Sequence, residues 1–117
     1  MQLKNIKTRV TKQKLTKCSM CRTYNDIAFR FAMLLENDTS VSEFSCNIEL
    51  TGLNVGDGRN YTSDFLITYI DGGMAVRECI NRDAILRAKN IKLLDASKEY
   101  WEKRGITDWG LVINKEA

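Results

Sequence analysis

Histidine and proline are both missing from this 117-residue chain, and no stretch reaches the roughly 18 consecutive apolar residues a membrane-spanning helix requires. Without histidine there is no Ser-His-Asp or Cys-His nucleophile pair, no imidazole-ligated metal and no nuclease chemistry with histidine as general base. Any catalysis has to use carboxylates, lysines, cysteines or a carboxylate-bound metal. The start, Met1 to Lys17, alternates lysine with polar residues and has no apolar h-region, so the expectation is a soluble, unexported, cytoplasmic protein with no membrane partner. At 44% hydrophobic and 28% charged, the chain can bury one ordinary core, which excludes a multidomain machine.

Charge is present but segregated. Lys4, Lys7, Arg9, Lys12, Lys14, Lys17 and Arg22 all precede Asn25, and no acidic residue does. The remaining 11 basic residues face all 15 acidic ones, which makes the protein a slightly acidic body with a basic arm over residues 1–23. Such asymmetry points to a polyanion partner, because each cation set on a phosphate releases condensed counterions. The competing reading is a solvated tail that serves solubility alone.

Of the four cysteines, Cys18 and Cys21 have the spacing of a zinc knuckle. Cys46 and Cys79 stand alone in stretches that read as strands, whereas zinc ribbons usually repeat the close pair. Reduced structural thiols are therefore expected in preference to zinc, with no disulfide framework.

From Asn25 or Asp26, either of which can cap, a helix is expected through Glu36, with Ile27, Phe31, Leu34 and Leu35 forming one apolar stripe. Val41 to Leu50 alternates as a strand, Thr51 to Asn60 reads as a glycine-rich loop, and Tyr61–Ile70 with Met74–Ile80 forms a hairpin around Asp71-Gly72-Gly73. Asn81 to Ile91 reads as loop or short helix. An amphipathic helix from Lys92 ends at Gly105, and Ile106 to Ile113 closes the chain as a central strand. Phe65, Ile67, Leu111 and Ile113 are expected in the core, with Trp101 against the sheet. There are no repeats and no linker. The class is α/β with a mixed sheet, in the order helix, strand, hairpin, helix, strand.

That order is shared with the restriction-endonuclease-like core, and three segments carry a narrower likeness. Leu34-Leu35-Glu36-Asn37-Asp38 followed by Val41 and Phe44, then Tyr61-Thr62-Ser63-Asp64-Phe65-Leu66 before the hairpin, then Lys92-Leu93 with Glu99 to Ile106 and a tryptophan-bearing strand, together resemble the TnsA-like transposon endonucleases over residues 24 to 114. The resemblance implies a domain over 24–117, DNA as partner, and a magnesium ion held by Asp64 and Glu78, one acid from each strand of the hairpin. A protein partner from a transposition, phage or defence system is implied as well. The chemistry is that of phosphodiester cleavage, in which a hard cation polarises the phosphate and generates hydroxide.

The chain departs from that family's pattern in two places. Where the second strand carries acid, any residue, lysine, this chain reads Glu78-Cys79-Ile80; the lysine's role falls to Arg82 or Lys92 if it survives. Where the first helix carries a catalytic glutamate, this chain has Ala28, with Asp26 nearby as a helix cap. Three functions follow as expectations. First is a nuclease-fold DNA-binding protein of a phage or mobile element with weakened or lost cleavage. The alternative is an active magnesium-dependent endonuclease using Asp64, Glu78 and Arg82, with the basic arm gripping DNA. A zinc-stabilised adaptor stands third.

Overall fold

Asn25 starts the first helix, α1 (Asp26–Asn37), because its side-chain oxygen accepts the Ala28 N–H at 2.9 Å and so satisfies a donor that the first turn leaves open. In the computed structural model, residues 11–13, 15–18, 21–54 and 58–114 are described. α1 buries Ala28, Ala32 and Leu35, with Ile27 and Phe31 packed at the margin. Leu34, expected on the same stripe, is 66% exposed. Consecutive helical residues are about 100° apart, so a face centred on the two alanines and Leu35 turns Leu34 to solvent.

Two short antiparallel strands, β1 (Thr11–Gln13) and β2 (Cys21–Thr23), precede α1. After it come β3 (Val41–Asn54), β4 (Asn60–Tyr69) and β5 (Met74–Ile80), a meander of antiparallel neighbours. The loop expected over 51–60 is shorter, since β3 runs on through Asn54, which pairs with Asn60. The β4–β5 turn closes on Gly72, whose φ of 92° favours a residue without Cβ, and Asp71 Oδ1 accepts the Gly73 N–H.

A 3-10 turn (Arg82–Ala84), capped by Asn81 on Asp83 N–H, leads to helix α2 (Ala88–Glu102). α2 begins four residues earlier than expected. Its N-cap, Arg87, makes no side-chain cap bond, so the usual start signal is missing from the sequence. The end is as read: Gly105 at φ 85° lets Ile106 N–H reach Trp101 O and Gly105 N–H reach Glu102 O, a Schellman closure.

Strand β6 (Asp108–Ile113) returns parallel to β5, completing a mixed sheet in the order β3-β4-β5-β6. Alternate residues of β5 enter different layers. Ala75 and Cys79 pack with α1, while Val76 and Ile80 pack with Leu93, Leu94 and Trp101 of α2, so the helices cover opposite faces. Phe65, Ile67 and Trp101 are buried as expected. Leu111 and Ile113 are not, at 39% and 40% exposed, because β6 is an edge strand rather than a central one; Trp109 and Val112 supply its inward contacts. Residues ahead of α1 also join this body. Cys18, Cys21 and Thr23 are buried, and Leu15 packs on the α1 layer, so the core draws on residues on the arm's side of the boundary expected at 23. No described helix is long and apolar enough to cross a membrane.

Candidate functional site

β3 and β4 both turn over at one point. Phe44 and Cys46 belong to the α1 layer, yet Leu50 and Ile48 belong to the α2 layer; across the ladder, Phe65 and Ile67 face α1 while Tyr61 faces α2. Residues an even number apart in a regular strand share a face. The break lies between the pairs Cys46↔Phe65 and Ile48↔Ser63, where Asn47 adopts φ 55°, the only positive φ of a non-glycine residue among those described. Asparagine tolerates that conformation better than most residues, and its Nδ2 donates to Arg22 O at 2.8 Å.

Asp64 sits opposite this break, and the β4–β5 register pairs end beside it at Phe65↔Arg77. Beyond that point carboxylates take over the bonding. Glu78 Oε1 accepts the Asp64 N–H at 3.0 Å, and Asp64 Oδ2 accepts the Cys79 N–H at 2.7 Å. Each acid thus satisfies a backbone donor of the neighbouring strand. Glu78 Oε2 accepts the hydroxyls of Ser63 at 2.7 Å and Ser97 at 2.6 Å. The indole N–H of Trp101 donates to Ser63 Oγ and that of Trp109 to Ser97 Oγ. Burial, followed by the negative charges of Glu78 and Asp64, pushes the Tyr61 phenol far above its ordinary range and keeps it protonated.

Asp64 and Glu78 are therefore brought together, as the sequence suggests, but in a closed setting. Glu78 is 0% exposed and Asp64 4%. Magnesium asks for carboxylate oxygens in near-octahedral order and keeps several waters. Glu78, with at least three donors on its two oxygens and no contact with solvent, does not fit that demand as arranged.

The other expected catalytic groups lie elsewhere. Arg82 occupies the exposed 3-10 turn, with its backbone N–H donating to Asn114 Oδ1. Lys92 is exposed on α2, and Ile80, in the lysine position of the likened motif, is buried in the α2 layer. Ala28 is buried against the sheet and Asp26 is exposed in the first turn of α1. Arg77, the nearest cation in sequence, pairs with Asp108 at 2.8 Å. Ser63, Ser97, Trp101 and Trp109, which complete the network, gave no sequence signal as a group, because hydroxyls and indoles distant in sequence carry no spacing rule.

Among the basic residues, Lys4, Lys7, Arg9 and Lys14 lie outside the described residues, and Lys12 falls within β1. Arg22 is exposed. Lys17 has a structural duty: its ammonium donates to Asp38 O at 2.6 Å and Leu35 O at 3.5 Å, a favourable place for a cation at the C-terminal end of α1. Beside it, Glu36 accepts from Thr16 N, Thr16 Oγ1 and Lys17 N, which draws its carboxyl below the ordinary range; the Ser40 hydroxyl and N–H do the same for Asp38.

A second constellation lies on the α1 side. The sulfurs of Cys18, Cys21 and Cys46 all fall within 4.8 Å of one another, and Cys79 is not part of the group. Cys46, which the sequence leaves isolated, is the residue that joins the close pair. Cys46 donates to Cys21 at 3.2 Å, lowering the Cys21 pKa and raising its own.

No family model matches the chain, and no curated protein matches it either.

Proposed function

We propose that this chain is a nuclease-fold DNA-binding protein, of restriction-endonuclease-like type, that engages DNA or a DNA-processing complex of a phage or mobile element without cutting it. The observation that carries this reading is Glu78, the acid expected to hold magnesium, which is fully buried with both oxygens committed to protein donors. Loss of the motif lysine to a core isoleucine and of the helix glutamate to a core alanine points the same way. The order helix, meander, helix, parallel strand is the one this reading expects, and it supports a nuclease-like fold without the chemistry.

DNA affinity rests on the basic stretch. With Lys17 occupied at the end of α1, the residues left for phosphates are Lys4, Lys7, Arg9, Lys12, Lys14 and Arg22. Six such contacts give a slope of about −5 for log K against log salt. Fluorescence anisotropy of a labelled duplex, titrated at a series of salt concentrations, tests this; a slope near zero would leave the basic stretch as a solubility tail.

A further inference from the structure

From the convergence of three thiols that the DNA-binding reading does not use, we propose that Cys18, Cys21 and Cys46 form a zinc site, with three thiolates from the protein and a fourth, exchangeable ligand.

The geometry is close to what the ion needs. Tetrahedral zinc with Zn–S bonds of about 2.3 Å sets its sulfurs roughly 3.8 Å apart. Cys18 and Cys46 stand at 3.7 Å, Cys21 and Cys46 at 3.2 Å, and all three pairs lie within 4.8 Å, so adjustments of an ångström or less bring them into position. The backbone holds them there. Phe44 N–H donates to Lys17 O, and Asn47 Nδ2 donates to Arg22 O, so the segment carrying the close pair is tied at both ends to β3 on either side of Cys46. The strained φ of Asn47 thereby gains a purpose, since it serves the anchor next to the third thiol.

A second observation comes from β2, whose buried residues Cys21 and Thr23 share one face. The Thr23 hydroxyl is the buried side-chain polar atom that lacks a hydrogen-bond partner among the described residues. Such groups are normally satisfied, and this orphan lies two residues from Cys21 on the same face of β2. Three soft sulfurs with no imidazole or carboxylate among them select zinc over magnesium. Binding converts each remaining S–H to a thiolate, with its proton released to solvent; no electron moves.

The test is cobalt substitution of the full-length chain, reduced and shown to hold four free thiols. One equivalent of Co²⁺ should give thiolate-to-cobalt charge-transfer bands and the strong visible bands of a tetrahedral ion, and one equivalent of Zn²⁺ should abolish them. Cys18→Ser, Cys21→Ser and Cys46→Ser should each weaken zinc binding by more than the roughly 10–100-fold of a lost supporting contact, whereas Cys79→Ala should leave it unchanged. Absence of the bands in the parent overturns the proposal, and so does their persistence in Cys46→Ser. Should a serine variant fail to fold, ligand counting at the zinc K edge by X-ray absorption of the zinc-loaded parent decides alone: three sulfurs support the site, and any other number refutes it.

Discussion

Glu78 accepts from at least three donors at once, so truncating it takes the acceptor from Ser63 Oγ, Ser97 Oγ and Asp64 N–H in a dry interior. Each unsatisfied buried group costs about 1–3 kcal/mol. Glu78→Ala should therefore destabilise the fold by about 3–5 kcal/mol, and Glu78→Gln, which keeps the shape and one acceptor, by about 1–3 kcal/mol, both read from urea unfolding. If these acids are braces, neither Mg²⁺ nor Mn²⁺ changes the melting temperature of the parent; an ion held at a hundred times its dissociation constant would add about 2.7 kcal/mol. The pairing of Asp64 with Glu78 was an expectation of the resemblance, which sets one acid on each strand of the hairpin. Their burial was not, because it depends on Ser97, Trp101 and Trp109 arriving from α2 and β6, and on Asn47 turning two strands at once.

At the scale of elements, alternation along β3 reads correctly as a strand, and the same asparagine divides its apolar residues between two layers. Phe44, Cys46, Ile48 and Leu50 keep a period of two in sequence but serve two layers in space. Asn47→Gly should cost only the roughly 0.5–1.5 kcal/mol of the lost bond to Arg22 O, whereas Asn47→Val, a β-branched residue forced to positive φ, should cost about 1–3 kcal/mol more in thermal unfolding. α1 was readable from Asn25 because its cap is a local side-chain bond; the start of α2 was not, since Arg87 offers none. Glu36 at the end of α1 adds a pH dependence. Its folded-state pKa lies below the ordinary 4.5, so the docking it provides to Thr16 and Lys17 is fully present above that value and lost as pH falls through the depressed one. The protection factors of the Thr16 and Lys17 amides, taken against the intrinsic exchange rate at each pH, should fall through that acid window more than that of Ala32 does.

For the molecule as a whole, charge and packing divide the N-terminal stretch differently. Charge segregation is a property of the sequence and was visible there; the docking of Cys18, Cys21 and Thr23 into the core was not, since it is made by contacts with β3 and α1 more than twenty positions away for Cys46 and Phe44. Removing residues 1–14 should weaken duplex binding and flatten its salt slope while leaving the melting temperature within a few degrees. Removing residues 1–23 should lower that temperature as well, because it takes three buried side chains from the core. The most direct measurement of the central claim is incubation of supercoiled plasmid with the full-length protein in Mg²⁺ or Mn²⁺ at low salt, scoring retarded complexes first and, after the protein is stripped, nicked or linear DNA. The account predicts retarded plasmid that remains fully supercoiled; nicks that appear with the parent and vanish with Asp64→Asn would contradict it.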